Sequence, residues 1–200
     1  MSAFRLNLNL AHTHLQPQEA TLLYAVALSH RPRRVLEVGS FQGGSAHILA
    51  QALIDAGLCP TPDNFFMIDP EPRLVAEHAS FLEGKTTIIA RGSPVAYGDI
   101  PRAAGSFDLA FIDGDHAEEA VYADLIGVRP LLAEGAIVLC HDSFYVPTMR
   151  GIDRVVAAGG FIDFGQMVSS PVTTDQIENG YRVEWGGLRM LRRGPASATR

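Results

Sequence analysis

The chain has 200 residues, 47% of them hydrophobic, and a formal net charge of −6 at pH 7. That length suits one α/β domain with a sizeable core, and an acidic balance without basic runs argues against nucleic acid as a partner. No apolar run is long enough to span a membrane and the N-terminus lacks the apolar core of a signal peptide. Its two cysteines, Cys59 and Cys140, fit a reducing, cytoplasmic setting.

Residues 1–30 form an N-terminal segment. Its first dozen positions show no period, and 18–29 are apolar at helical spacing through Leu22, Leu23, Val26 and Ala27. That helix can pack on its own sheet or on a second copy of the chain, so a homo-oligomer stays open. His12 and His14 are expected in a solvated stretch. Residues 35–38 read as the first strand and 43–56 as a helix with Ile48, Leu49, Ala52 and Leu53 on one face. The second strand is expected over 65–68, a helix over 74–82, and the third strand over 86–90. The fourth strand is 108–112, a helix covers 117–132, and the fifth strand is 136–139. A short helix over 152–158 and two last strands over 161–164 and 188–191 complete the pattern. His30, His47 and His78 fall at surface positions of helices or their ends. The stretch 165–187 is long for a connection and reads as a substrate loop. Residues 194–200 are expected to fray. The whole of 1–200 is expected to form a single domain.

Strands alternating with helices demand a doubly wound, mainly parallel sheet covered on both faces. Ligands of such sheets bind beyond the carboxyl ends of the strands. Polar residues gather at those ends: Glu37-Val38-Gly39, Asp69, Gly92-Ser93, Asp113-Gly114-Asp115-His116 and His141-Asp142.

The first of these ends opens the turn Gly39-Ser40-Phe41-Gln42-Gly43-Gly44. Its spacing is not the Gly-x-Gly-x-x-Gly that lets a backbone close on a pyrophosphate. An adenosine compound without phosphates is the better ligand, and S-adenosylmethionine fits best, with Glu37 near its cationic end. Asp69 can accept ribose hydroxyls or cap a helix. Ser93 falls near an adenine ring or in a plain turn. Asp113, His141 and Asp142 end adjacent strands, so their side chains can converge on a divalent cation that would lower the pKa of a substrate hydroxyl. His116 is the natural general base. Asp115 orients it or caps the helix that follows. No Gly-x-Ser-x-Gly elbow or Cys-x-x-Cys motif occurs.

Three segments carry a resemblance: Val-Leu-Glu-Val-Gly-x-x-x-Gly-Gly-Ser, Phe-Ile-Asp-Gly-Asp-His and Gly-Ala-Ile-Val-Leu-Cys-His-Asp-Ser. Together they resemble class I S-adenosylmethionine-dependent methyltransferases, nearest to the small metal-dependent O-methyltransferases of the macrocin type and, more distantly, catechol O-methyltransferase. The resemblance implies a Rossmann-like, seven-stranded, mostly parallel sheet whose antiparallel last strand, 188–191, inserts beside the fifth. It implies cofactor contacts from Glu37, Gly39, Ser40, Phe41, Gly43, Ser45, Asp69, Ser93 and Asp113. It implies metal ligands Asp113, His141 and Asp142, and catalytic roles for His116 and Asp113. Two positions depart from the pattern: Glu118 stands where an aromatic is common, and His141 where Asp or Glu is usual. The imidazole shifts the expected ion from Mg²⁺ toward Mn²⁺ or Fe²⁺, or toward no metal. The expected activity is methyl transfer to a hydroxyl of a small polar acceptor, of sugar or natural-product type. A nicotinamide-dependent oxidoreductase and a non-catalytic S-adenosylmethionine-binding module are the rival readings.

Overall fold

The computed structural model describes residues 8–101, 105–169, 171–178 and 180–195. Seven strands form one sheet in the order β3-β2-β1-β4-β5-β9-β6. In chain order these are β1 (Val35–Val38), β2 (Phe65–Ile68), β3 (Thr87–Ile89), β4 (Phe107–Ile112), β5 (Leu132–His141), β6 (Phe161–Val168) and β9 (Leu188–Arg193). Strands β1 to β5 pair in parallel, and β9 is antiparallel to both its neighbours, β5 and β6. The expected architecture is therefore present, including the inserted antiparallel strand. The strand order reverses between β1 and β4, and a crevice opens at that switch point beyond their carboxyl ends.

Alternation along each strand divides the core. Val35, Phe65, Met67, Leu109 and Phe111 face helices α1 (Pro17–His30) and α2 (Gly44–Asp55), where Ala20, Leu23, Ile48 and Leu49 are buried. Leu36, Val38, Phe66, Ala110 and Ile112 face α4 (Glu118–Val128) and α5 (Val146–Ala158), against Val121, Leu125, Ile152 and Val155. Helix α3 (Ala76–Leu82) packs beside α2 through Leu82. Every residue of β1 and β2 is buried, as expected of parallel strands covered on both sides.

Several boundaries move. Helix α1 begins earlier than expected because Pro17 at the first helical position and a Gln16–Glu19 capping box start it. Helix α4 ends at Val128, where Pro130 cannot continue the backbone pattern and a 3₁₀ turn over Arg129–Leu131 takes over. Strand β5 is ten residues long and α5 thirteen, both beginning well before their apolar runs. Pro147 again marks the helix start.

The expected substrate loop over 165–187 is mostly strand. β6 runs on to Val168, and β7 (Val172–Glu178) pairs with β8 (Tyr181–Trp185) as an antiparallel hairpin. The sequence holds the signal for it in Asn179-Gly180 between two runs of alternating residues. Of the terminal stretch 194–200, Gly194 donates to the Gly160 carbonyl at 2.9 Å, so this residue is held. Positions 196–200 lie outside the described residues, as do 1–7 of the N-terminal segment.

Candidate active site

A cavity of about 930 Å³ lies over the carboxyl ends of β1, β2, β4 and β5. One half is built around the β1–α2 turn. Gly39 has φ +87°, and a Cβ on it would fall 1.8 Å from the Asp113 carbonyl oxygen, so only glycine lets β1 and β4 end this close together. Phe41, with φ +36°, presents its N–H to Asp69 Oδ2 at 2.8 Å. The other oxygen of Asp69 accepts the Glu71 N–H at 2.7 Å. Asp69 thus pins the turn to the end of β2 and does not cap α3, which starts seven residues later. Gly39, Phe41, Asp69, Ser93 and Asp113 all line the cavity.

Ser40 and Ser45 line a small adjoining recess of about 30 Å³. Glu37 and Gly43 lie behind these walls rather than in them. Glu37 is fully buried and accepts a hydrogen bond from the Ser45 hydroxyl on α2. Burial pushes its carboxyl up to about 8, against the lowering effect of that bond. Its Oε2 and the Ser40 hydroxyl have no hydrogen-bond partner among the described residues. Two buried unsatisfied oxygens beside one recess suit a ligand that brings donors or positive charge to them.

The other half carries the titratable cluster. Oxygens of Asp113 and Asp142 and a nitrogen of His141 lie within 4.8 Å of one another. His141 Nδ1 is 3.0 Å from Asp113 Oδ1 and 3.4 Å from Asp142 Oδ2. His116 Nε2 stands 3.1 Å from Asp142 Oδ2 and 3.7 Å from Asp113 Oδ1. The three candidate ligands and the candidate base are therefore brought together. Asp142 has φ +48°, a left-handed conformation that Asp tolerates better than most residues, and its Oδ1 accepts the Gly186 N–H.

Charges in the cluster are strongly coupled. Burial would raise both carboxyls, but His141 and His116 outweigh it and hold Asp113 and Asp142 below the usual carboxylate range. Burial would lower His116, but the Asp113 and Asp142 carboxylates beside it push it up to about 10. His141 is raised well above its ordinary value by Asp113, Asp142 and Glu19, again against burial. The two carboxylates thus favour the protonated imidazole of His116. Donors of this kind, two carboxylates and one imidazole, suit a borderline divalent ion, and such an ion would take over the charge that the protons now balance.

Asp115 accepts the Ala117 N–H at 2.8 Å, a local turn leading into α4. Glu118 pairs with Arg154 at 3.0 Å and ties α4 to α5. Several residues of the cavity wall were not singled out from the sequence, among them Glu19, Val172 and Trp185. His12 and His14 are exposed, as expected of a solvated stretch, yet His14 also meets the Phe41 ring edge-on at 5.4 Å and lines the cavity. Trp185, at the end of the hairpin, lies 5.0 Å from the His116 ring. His78 is fully buried, not at the surface, and its ring nitrogens meet the Ala11 carbonyl and His47 Nδ1 at 2.9 Å each.

Residues 36–143 match the sequence profile of the family described as "Methyltransferase domain", more than half of the chain. The chain belongs to this family. Among curated methyltransferases, the O-methyltransferase ankF of Aspergillus thermomutatus is 29% identical over 135 residues, 65% of this chain and 54% of that protein. The chain spans about half the length of the curated relatives it matches. Among solved structures, the O-methyltransferase TomG of Streptomyces achromogenes, in complex with S-adenosylmethionine, superposes with a TM-score of 0.65 at 17% identity. That match covers 92% of this chain and 83% of TomG. An O-methyltransferase from Bacillus cereus, in complex with S-adenosylhomocysteine, gives 0.62 at 17% identity, over 92% and 84% of the two chains. Such structural likeness establishes the methyltransferase fold.

Proposed function

We propose that this methyltransferase moves a methyl group from S-adenosylmethionine to a hydroxyl of a small polar acceptor, of sugar or natural-product type, with help from a divalent cation. One observation carries the reading. A single cavity joins the Gly39–Asp69 half, suited to an adenosine ligand, to the Asp113–His116–His141–Asp142 half, suited to holding and deprotonating a hydroxyl. Its volume stands at the upper end of the ~300–1,000 Å³ range of ligand pockets, room for donor and acceptor together. Relatives named as O-methyltransferases support the same reading.

S-adenosylmethionine supplies a methyl carbon that its sulfonium makes electrophilic. Asp69 would accept ribose hydroxyls through lone pairs its two backbone bonds leave free, and the recess at Ser40 and Ser45 would take the amino-acid end. Behind it, the unpartnered Glu37 Oε2 offers an acceptor to an ammonium, whose charge would draw the buried carboxyl to its ionised form. On the acceptor side, Asp113, His141 and Asp142 would hold a cation of the Mn²⁺ or Fe²⁺ kind, which supplies a Lewis acid that lowers the pKa of the hydroxyl. The same carboxylates hold the His116 proton in the cation-free protein. Once they serve as ligands, the imidazole can lose that proton and accept the one from the hydroxyl. The new O–C bond forms as the C–S bond breaks, and the electron pair stays on sulfur. Trp185 and Val172 wall the acceptor half. Cys59 and Cys140 are both free, in keeping with a cytoplasmic setting.

Calorimetry with S-adenosylmethionine and S-adenosylhomocysteine, with and without Mg²⁺ or Mn²⁺, tests this reading. Micromolar binding is expected, with a cation-dependent change when an acceptor analogue such as a vicinal diol is present. Absence of binding under every condition overturns it.

A further inference from the structure

Glu19 lies on α1, outside the segment that matches the family profile, yet it is fully buried against the site. Its Oε1 accepts the Gly187 N–H at 2.6 Å, and its Oε2 accepts the Gln16 N–H at 2.8 Å. Oε2 also lies 3.0 Å from His141 Nε2. Among the described residues, the one cationic side chain at ion-pair distance from it is that imidazole. Burying a carboxylate is costly even when it is paired. A capping contact is equally available to an exposed side chain, so capping does not account for the placement.

The position toward His141 does account for it. An acceptor on Nε2 fixes which nitrogen carries the proton and holds the ring in one orientation. Here it leaves Nδ1 facing Asp113 and Asp142 at 3.0 and 3.4 Å. Imidazoles that bind metals are commonly held in this way, with the second nitrogen donating to a carboxylate, and the contact raises the basicity of the ligating nitrogen. Glu19 also touches the chain just past Gly186, whose N–H is bonded to Asp142. One buried carboxylate therefore braces two of the three candidate ligands, His141 directly and Asp142 through the backbone.

We propose that Glu19 is a positioning residue that aims His141 Nδ1 between Asp113 and Asp142, completing a two-carboxylate, one-imidazole site that prefers Mn²⁺ over Mg²⁺. The inference rests on the cation-assisted reading above.

Mn²⁺ titrations followed by electron paramagnetic resonance on the wild type, Glu19→Gln, Glu19→Ala and His141→Ala test it. S-adenosylhomocysteine affinity and thermal melting are measured on the same samples. Wild type is expected to bind Mn²⁺ more tightly than Mg²⁺. Glu19→Ala should weaken Mn²⁺ by about 10- to 100-fold, with S-adenosylhomocysteine affinity within about twofold of wild type. Glu19→Gln keeps the side-chain shape and one acceptor oxygen, so it should fold and lose less Mn²⁺ affinity than Glu19→Ala. In a His141→Ala background, Glu19→Gln should cause no further loss. Equal losses in both backgrounds would make Glu19 a structural residue and overturn the proposal. So would a folded Glu19→Gln that binds Mn²⁺ as wild type does. A wild type that binds S-adenosylhomocysteine but no Mn²⁺ removes the cation from the reading, and this inference with it, while sparing the methyl donor.

Discussion

The Asp113 N–H donates to the Val38 carbonyl at 2.8 Å, and the Asp113 carbonyl oxygen occupies the space a side chain on Gly39 would need. Two strand ends are thereby locked together where the donor half of the cavity meets the acceptor half. Gly39→Ala must carry a Cβ at positive φ, which costs about 1–2 kcal/mol before any clash, and it must also push Asp113 away. The expected result is a lower melting temperature together with more than tenfold weaker S-adenosylhomocysteine binding. A stable variant with unchanged affinity would mean that the backbone contact does not shape the site.

His116→Ala should abolish turnover, by ~10²–10⁴-fold as for other general bases, and leave cofactor affinity unchanged. Single-turnover kinetics beside calorimetry separate the two. Loss of cofactor binding in this variant would make His116 a structural residue.

The pH dependence follows from the direction of the His116 shift. Its folded value, about 10, lies above the ordinary one, so only alkaline solution frees the imidazole when no cation is present. Chelation should therefore cut turnover most at pH 7 and least toward pH 10. A chelated enzyme whose pH profile keeps its neutral optimum would contradict this account.

Glu37 sets stability against binding. Its folded value, about 8, lies above the unfolded one, so folding takes up a proton between pH 4.5 and 8 and stability falls across that window. Glu37→Gln removes the ionisation and with it a cost that grows by ~1.4 kcal/mol per pH unit in that range. Its melting temperature should exceed that of the wild type at pH 8 and match it near pH 4.5. Cofactor affinity should drop in the same variant, because the charge offered to the ammonium is gone. Thermal scans at the two pH values and one calorimetric titration check both halves.

Trp185→Ala should raise the acceptor KM roughly tenfold, the worth of one aromatic contact at ~1–1.5 kcal/mol, with S-adenosylmethionine binding unaltered. Steady-state kinetics with either substrate varied would show the split.

Much of this was legible in the sequence because parallel strands write themselves plainly. Val35 to Val38 and Phe65 to Ile68 are apolar runs buried on both faces, and the polar residue that ends each one faces the crevice or lies just behind its wall. Asp113, His116, His141 and Asp142 could be placed because adjacent strands bring their ends together whatever the helices do. Glu19 could not, since its contact with His141 joins positions 122 residues apart and α1 has no fixed place on the sheet until the chain folds. Its local sign was the capping box with Gln16. Trp185 was hidden differently: the Asn179-Gly180 pair stands in the sequence, but a long polar stretch with few apolar positions reads as a loop until its pairing partner is known. The unexpected length of β5 has a similar origin, because Glu134-Gly135 interrupts its apolar pattern while the backbone continues.

The cavity is assembled from two kinds of chain. Its floor, from Val38 and Gly39 to His141 and Asp142, lies within the stretch shared with the family, whereas His14, Gln16, Val172 and Trp185 lie before or after it. Of these, His14 meets Phe41 and also lines the Ser40–Ser45 recess, whereas Trp185 stands beside His116 at the other end of the cavity. A lineage could therefore exchange its hairpin and inherit a new molecule to methylate in one step, keeping the reaction it already had. Transplanting residues 165–187 between relatives is the laboratory equivalent, a swap of appetite without a change of trade.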